Sequence, residues 1–243
     1  MAQATGVRLD VSKVLSSRAK SIDASGIRKV FDLAAHLKDP INLSIGQPDF
    51  PVPDALKLAA IKAIEENRNG YTQTQGCPEL LGAIWKRLGS EVGWVHGQDN
   101  LSAIVTSGTS GALVLGMMCL LDAGDEAIVP DPYFVMYKHL VRLFGGKPVY
   151  LDTYDADFGI DPERLESLIT PKTKLLLLNS PANPTGRILS REELEAVAAV
   201  CRKHGVLVIS DEIYRQFAYT EMVSMAEVYE DTVVLQVIPR HTA

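Results

Sequence analysis

The segment Ser210–Tyr214, which reads Ser-Asp-Glu-Ile-Tyr, follows a continuous apolar run and carries carboxylates at the end of a predicted strand. One interpretation of Asp211 is structural, because a carboxylate at the end of a strand often caps a helix or lies in solvent. The other is chemical: a carboxylate that pairs with a cationic ring nitrogen or a metal ion stays ionised there. Taken alone, the segment leaves both interpretations open.

The segment Ser107–Gly111 joins a predicted strand to a predicted helix. Free N–H groups at the start of a helix, together with hydroxyls and glycines, are suited to binding a phosphate group. The segment matches neither of the common nucleotide motifs, since no Gly-Lys-Ser/Thr follows and its two glycines do not fit Gly-x-Gly-x-x-Gly. A tight strand-to-helix turn without a ligand explains the segment equally well.

Two further segments could complete a site. Asn179–Gly186 contains two asparagines, two prolines and a glycine directly after a predicted strand. A cis Asn183–Pro184 bond would aim the asparagine amide into a cleft, although turn residues are expected before a helix in any case. Phe134 could stack on a flat cofactor or simply belong to the core.

Composition excludes several classes of protein. The 243 residues carry 24 basic and 30 acidic side chains, a formal charge of −6. The basic residues are scattered and form no stripe that would bind a nucleic acid. The apolar run Ala112–Leu121 is about half the length that crosses a bilayer, and the N-terminus lacks the apolar core of a signal peptide. These features predict a soluble, cytoplasmic globular protein without nucleic-acid or membrane partners.

No metal site is predicted. The five histidines share no recognisable ligand spacing. The three cysteines form neither a disulfide framework nor a zinc motif; they are Cys77, Cys119 and Cys201.

Short apolar runs alternate with helical patterns along the chain. The predicted strands are Ala103–Thr106, Ala127–Pro130, Pro148–Leu151, Leu175–Asn179, Val206–Ser210 and Val233–Ile238. The predicted helices are Asp54–Asn67, one from near Pro78, Gly111–Leu121, Phe134–Phe144, Asp161–Ile169 and Ser190–Lys203. Asp161, a Ser190–Glu193 capping box and Gly205 mark helix ends.

This order of elements predicts an α/β fold with a mostly parallel sheet. The runs Leu175–Leu178 and Val206–Ile209 are continuous rather than alternating, so helices should cover both faces of the sheet. Ligands of such sheets bind beyond the carboxyl ends of the strands. The four segments Ser107–Gly111, Asp131–Phe134, Ser180–Gly186 and Asp211–Tyr214 follow those ends.

Taken in order, these segments resemble the pyridoxal 5′-phosphate (PLP)-dependent aminotransferases of classes I and II, which have fold type I. The resemblance covers about Ile41 to Leu235. Its motifs are Ser44–Phe50, Tyr71 with Gly76–Leu80, Val105–Ala112, Gly124–Phe134, Asn179–Gly186 and Ser210–Tyr214. Each motif is weak alone, but their shared order and spacing are specific. The resemblance implies transfer of an amino group between an amino acid and a 2-oxo acid.

The resemblance assigns roles in cofactor binding to several residues. Gly108, Thr109 and Ser110 would hold the cofactor phosphate at the helix start. Phe134 would stack on the pyridine ring, and Asp211 would keep the ring nitrogen protonated.

Other residues would contact the rest of the cofactor and the substrate. Asn183 and Tyr214 would donate to the phenolic oxygen of the ring, with Asn183 also near the substrate carboxylate. Gly46 would contact the substrate. Tyr71 would reach the phosphate in a partner subunit, which implies a homodimer.

The resembling fold is a three-layer α/β/α sandwich, here expected to be incomplete and without a C-terminal small domain. We expect residues 1–50 to form an N-terminal arm and lead-in, and residues 51–243 to form part of the PLP-binding large domain. The strand Ala103–Thr106 would pair with a strand beyond residue 243. It and Val233–Ile238 would therefore present unpaired backbone, an aggregation hazard.

The resemblance ends near Leu235, before the last eight residues, Gln236–Ala243. Family members bind the cofactor covalently through a lysine just after the strand that here ends near Leu235. Aligned without a gap, Arg240 takes that position, and a guanidinium stays protonated and cannot form an imine. The resemblance therefore supplies no catalytic residue, and the sharp mismatch over Gln236–Ala243 supports the hypothesis of a frameshift or truncation.

Three hypotheses for function follow. The chain is an aminotransferase cut short and inactive as it stands, a non-catalytic PLP-binding module, or a structural subunit that pairs with an intact relative. The sequence leaves the amino donor undefined.

Overall fold

A computed structural model describes residues 9–22, 37–38, 41, 50–98 and 100–237. The chain divides into two compact units, residues 1–47 and 48–243. In the first unit, the described helices are α1 (Val11–Val14), capped by Asp10, and α2 (Ser17–Lys20), capped by Ser16. The domain boundary that we place after residue 50 stays a prediction.

The second unit is built from alternating strands and helices. Its strands are β1 (Glu126–Asp131), β2 (Lys147–Asp152), β3 (Thr173–Asn179), β4 (Leu207–Asp211) and β5 (Thr232–Leu235). Its helices are α3 (Asp54–Glu65), α4 (Pro78–Val92), α5 (Gly108–Leu120), α6 (Met136–Leu143), α7 (Pro162–Leu168) and α8 (Arg191–His204). Single 3-10 turns cover Tyr154–Ala156, Arg215–Phe217 and Met225–Glu227.

The five strands form one sheet in the order β2–β1–β3–β4–β5, and every neighbouring pair is parallel. The predicted parallel sheet is confirmed. The register pairs Asn179 of β3 with Asp211 of β4, and Asp211 with Leu235 of β5. The last residues of these three strands therefore end at the same edge of the sheet, which we call the carboxyl edge.

Helices cover both faces of the sheet, and this explains the continuous apolar run in β3. Successive side chains of a strand point to opposite faces. Leu175 and Leu177 pack with residues of α5 and α6, whereas Leu176 and Leu178 pack with residues of α7 and α8. All four leucines are at most 2% exposed. The result is the expected three-layer sandwich.

The predicted helix signals are confirmed. The Asp161 carboxylate accepts two backbone N–H groups in the first turn of α7. Ser190 and Glu193 form the capping box at the start of α8, and Gly205 ends that helix with a left-handed φ of 66°.

One predicted strand is wrong. Ala103–Thr106 pairs with no strand of the described sheet, and the Val105 N–H donates instead to the Gln75 carbonyl at 2.7 Å. A strand needs a neighbour for its backbone groups, and the described residues provide none there. Among the described strands, β5 lies at the edge of the sheet as expected, although it ends at Leu235.

Candidate functional site

The ends of β3 and β4 place two polar residues side by side at the carboxyl edge. Asn179 and Asp211 are register partners. The Asn179 amide donates to the Asp211 backbone carbonyl at 2.7 Å, and its side-chain oxygen accepts the Asn183 N–H at 2.7 Å. Asn179 therefore ties the loop after β3 to the end of β4.

The Asp211 carboxylate is buried, with only 4% of the residue exposed. One oxygen accepts the Tyr137 hydroxyl at 2.8 Å, and the other accepts the Ile213 N–H at 3.3 Å. Burial raises the pKa of Asp211, because the charged form loses solvation, and these two hydrogen bonds offset part of the rise. A buried carboxylate of this kind is stabilised by an incoming cation.

Tyr137 is a site residue that our sequence-based predictions missed. It lies in α6 and is 2% exposed, and burial next to Asp211 raises the pKa of its phenol. The spacing of Tyr137, Leu140 and Val141 places them on one face of the helix, and this face is buried. A tyrosine on a buried face needs a hydrogen-bond partner for its hydroxyl, and this requirement could have indicated Tyr137.

Tyr137→Phe should weaken the binding of PLP, the cofactor that the resemblance implies, by about tenfold or more, which is the value of one hydrogen bond to a charged group. Loss of the donor raises the pKa of Asp211 further, so the loss should grow as the pH is lowered. Titration with PLP at several pH values measures this effect. Tyr229→Phe is the matched control, since it removes another buried phenol donor, to the Val206 carbonyl. An equal loss in the control would contradict the prediction.

The loop after β3 brings two predicted residues together. The Asn183 amide donates to the Tyr214 hydroxyl oxygen at 3.2 Å, which leaves the Tyr214 proton free to be donated elsewhere. The Asn183–Pro184 bond is cis. A cavity on this edge is lined by Tyr137, Asn179 and Asn183, among other residues.

Phe134 lies next to Tyr137. Its ring packs against that of Tyr137 with centroids 5.6 Å apart and an interplanar angle of 80°. Phe134 and the Asp211 carboxylate thus share a neighbour, and the partly buried Phe134 ring forms an apolar wall next to it.

The position of helix α5 follows from its C-terminal end. Leu121, just after the helix, lies beside Gly146, and the Gly124 N–H donates to the Gly145 carbonyl, just before the amino end of β2. The helix therefore ends at the edge of the sheet opposite the carboxyl edge. Its 13 residues rise about 20 Å, which is about the length of a six-residue strand. The first turn of α5 therefore lies near the carboxyl ends of the strands.

The first turn of α5 has the features of a phosphate site. Gly108 has a φ of 70°, which favours glycine. Among the described residues, no side chain caps the helix, so the N–H groups of Thr109 and Ser110 have no partner within it. The side chain of Ser110 is exposed.

The remaining predicted residues are Tyr71, Gly46 and Arg240. Tyr71 is fully exposed, whereas Gly46 and Arg240 lie outside the described residues. Their assigned roles stay predictions.

The described part of the chain contains no cluster of three or more His, Cys, Asp or Glu side chains that could hold a metal ion. Within the same residues, no helix is both long and apolar enough to span a membrane.

The residues present fit a phosphorylated pyridine. A buried carboxylate suits a protonated ring nitrogen, an apolar ring lies beside it, and a helix start with free N–H groups suits a phosphate. The paired Asn183 and Tyr214 supply donors for an oxygen on the ring.

The family profile described as "Aminotransferase class I and II" matches residues 38–239. An aspartate aminotransferase of Geobacillus stearothermophilus is 41% identical over 220 residues, which are 88% of this chain and 56% of that protein. An aromatic-amino-acid aminotransferase of Thermococcus litoralis is 35% identical over 206 residues, covering 84% of this chain and 53% of the relative.

Solved structures of aminotransferases are also similar to this chain. An aspartate aminotransferase from Thermus thermophilus with maleate superposes with a TM-score of 0.84 at 36% identity, covering 91% of this chain and 59% of that one. The chain thus spans little more than half the length of the relatives that it matches.

Proposed function

Because this chain belongs to the class I and II aminotransferases, we propose that its carboxyl-edge site binds PLP for the transfer of an amino group between an amino acid and a 2-oxo acid. The observation that carries the proposal is the buried Asp211, held by Tyr137 at the end of a central strand. When bound, PLP supplies a ring that withdraws electrons from the substrate Cα.

Each group of the site has a defined task in this proposal. Asp211 keeps a proton on the ring nitrogen, because a cation lowers the free energy of its buried charge. Asn183 and Tyr214 donate to the phenolic oxygen of the ring. The N–H groups at the start of α5 hold the phosphate, and Phe134 excludes water from one face of the ring.

We also propose that this chain binds PLP without a covalent bond and does not turn over by itself. The described residues that we assign to this site include no lysine: they are Gly108, Thr109, Ser110, Phe134, Tyr137, Asn179, Asn183, Asp211 and Tyr214. Arg240, which we align without a gap with the family lysine, would not replace it, because a guanidinium does not lose its proton.

A homodimer is part of the proposal. Tyr71 is fully exposed on the second unit and is therefore available to the phosphate site of a second copy. The amino donor is left open, since the similar proteins carry the names of both aspartate and aromatic-amino-acid aminotransferases.

Reduction with borohydride tests the proposal. Purified chain should bind PLP reversibly in an absorbance titration, and its intact mass should be unchanged after borohydride treatment of the complex. Aspartate or phenylalanine with 2-oxoglutarate should give no product. A trapped adduct on a lysine would overturn the non-covalent mode, and an absence of PLP binding would overturn the proposed site.

A further inference from the structure

Glu212, the residue after Asp211, is 1% exposed and sits among donors that are different from those of Asp211. One oxygen accepts the Ser224 hydroxyl at 2.6 Å and the Ser210 hydroxyl at 3.1 Å. The other lies 3.3 Å from both an Arg215 guanidinium nitrogen and the Gln236 amide nitrogen. Each carboxylate oxygen of Glu212 therefore has two donors.

These donors explain why a second carboxylate is buried beside Asp211. Burial raises the pKa of Glu212, whereas Ser224, Arg215 and Gln236 lower it. With its hydrogen-bonding capacity filled by protein groups, Glu212 is not a ligand for a cofactor. Its role must lie in the residues that it connects.

The donors flank both functional residues of the segment Ser210–Tyr214. Ser210 precedes Asp211, and Arg215 follows Tyr214, so the Glu212 carboxylate binds the chain on either side of the two. The Glu212 N–H also donates to the Leu235 carbonyl at 2.9 Å, which attaches the segment to the end of β5.

The contacts continue into α4. The Arg215 guanidinium lies 3.4 Å from the Glu91 carboxylate, and Glu91 pairs with Arg87 at 2.7 Å within the helix. The Gln236 amide is 3.5 Å from Glu91. Arg215 is only 12% exposed at its side chain, so this chain of contacts is largely shielded from solvent.

We propose that Glu212 is a positioning residue for the cofactor ring: it fixes Asp211 and Tyr214 relative to the end of β4 by binding Ser210, Arg215, Ser224 and Gln236 at once. The inference rests on the proposed function, because Asp211 matters only if a ring nitrogen binds there. It assigns a role to a residue whose two carboxylate oxygens are occupied by protein donors.

The test compares PLP with its deaza analogue, in which a C–H group replaces the ring nitrogen. Only PLP can use Asp211, so the ratio of the two dissociation constants reports on the placement of that carboxylate. Glu212→Gln keeps the size of the side chain but replaces one carboxylate oxygen, which accepts two hydrogen bonds, by an NH2 group, which accepts none. This variant should reduce the preference for PLP about tenfold, the value of one well-placed hydrogen bond to a charged group.

Glu230→Gln is the matched control, because Glu230 forms an exposed ion pair with Arg202 and should leave the ratio unchanged. An unchanged ratio in Glu212→Gln would overturn the inference. So would an equal loss of affinity for both ligands, since that marks a purely structural role.

Ser224→Ala is the milder second variant, for use if Glu212→Gln does not fold. It removes the Ser224 hydroxyl, which donates to Glu212 at 2.6 Å and accepts the Ala226 N–H at 3.3 Å, and it should reduce the preference for PLP by a smaller factor. A wild-type chain that binds both ligands equally would refute the proposed function itself. A wild type that prefers PLP, with both variants unchanged, would refute the positioning role alone.

Discussion

Asp211→Asn should weaken PLP binding by about a hundredfold, since removing one partner of a buried ion pair costs about 3 kcal/mol or more. The Asn amide retains the size of the carboxylate and one acceptor oxygen, so the loss is specific to charge. Equilibrium titration of the purified chain with PLP measures it. The deaza analogue of PLP should bind the variant and the wild type equally.

The same substitution should not destabilise the free protein at neutral pH. Burial raises the pKa of Asp211 in the folded chain, so between the ordinary pKa and the raised one the folded state binds more protons than the unfolded state. Stability therefore falls as the pH rises through that window. Asp211→Asn removes this penalty, and its Tm relative to wild type should increase as the pH is raised above about 4.

Asp152→Asn is the matched control. Asp152 ends β2 at the same carboxyl edge but is half exposed and pairs with Arg164, so this variant should bind PLP like wild type. If Asp211→Asn lowers Tm and affinity together, the residue is structural and the assigned role is wrong. The assigned role is equally wrong if Asp152→Asn loses as much affinity.

Much of the fold could be predicted because a strand that is buried on both faces has a continuous apolar sequence. The leucine run in β3 and the aliphatic run in β4 have no polar alternation, and their observed limits lie within two residues of the predicted ones. Ala103–Thr106 has similar apolar character, yet it is not a strand. Pairing decides that case, because the strand that pairs with it in the resembling fold is not among the described residues, and backbone groups without a partner strand form no strand.

The candidate site could be predicted from the sequence only in part. Asp211 and Asn183 could be proposed because they lie at or just after the ends of buried strands, where parallel sheets bind ligands. Tyr137 and Glu212 act through other side chains, and their contacts span 74 residues to Asp211 and 12 to Ser224. Such contacts depend on the packing of α6 on the sheet and on the fold of the later loop, which no local spacing specifies.

Ser110→Asp should separate phosphate binding from helix stability at the start of α5. Ser110 is the third residue of that helix, where a carboxylate interacts favourably with the helix dipole and stabilises the helix by about 0.5 kcal/mol. The same charge repels a phosphate at the free N–H groups. We therefore expect Tm to hold or rise while PLP affinity falls at least about tenfold, since two like charges at close range near a protein surface interact by a few kcal/mol.

Ala55→Asp is the control for this prediction, because it adds one negative charge to the first turn of another helix, α3, at an exposed position. It should leave PLP affinity unchanged.

Competition by inorganic phosphate locates the effect: phosphate should displace PLP from the wild type but compete weakly in Ser110→Asp. If the variant binds PLP normally, the phosphate lies elsewhere and the role assigned to Gly108, Thr109 and Ser110 is wrong. If affinity and Tm fall together, the substitution has disrupted the helix, and the dipole argument for this terminus fails.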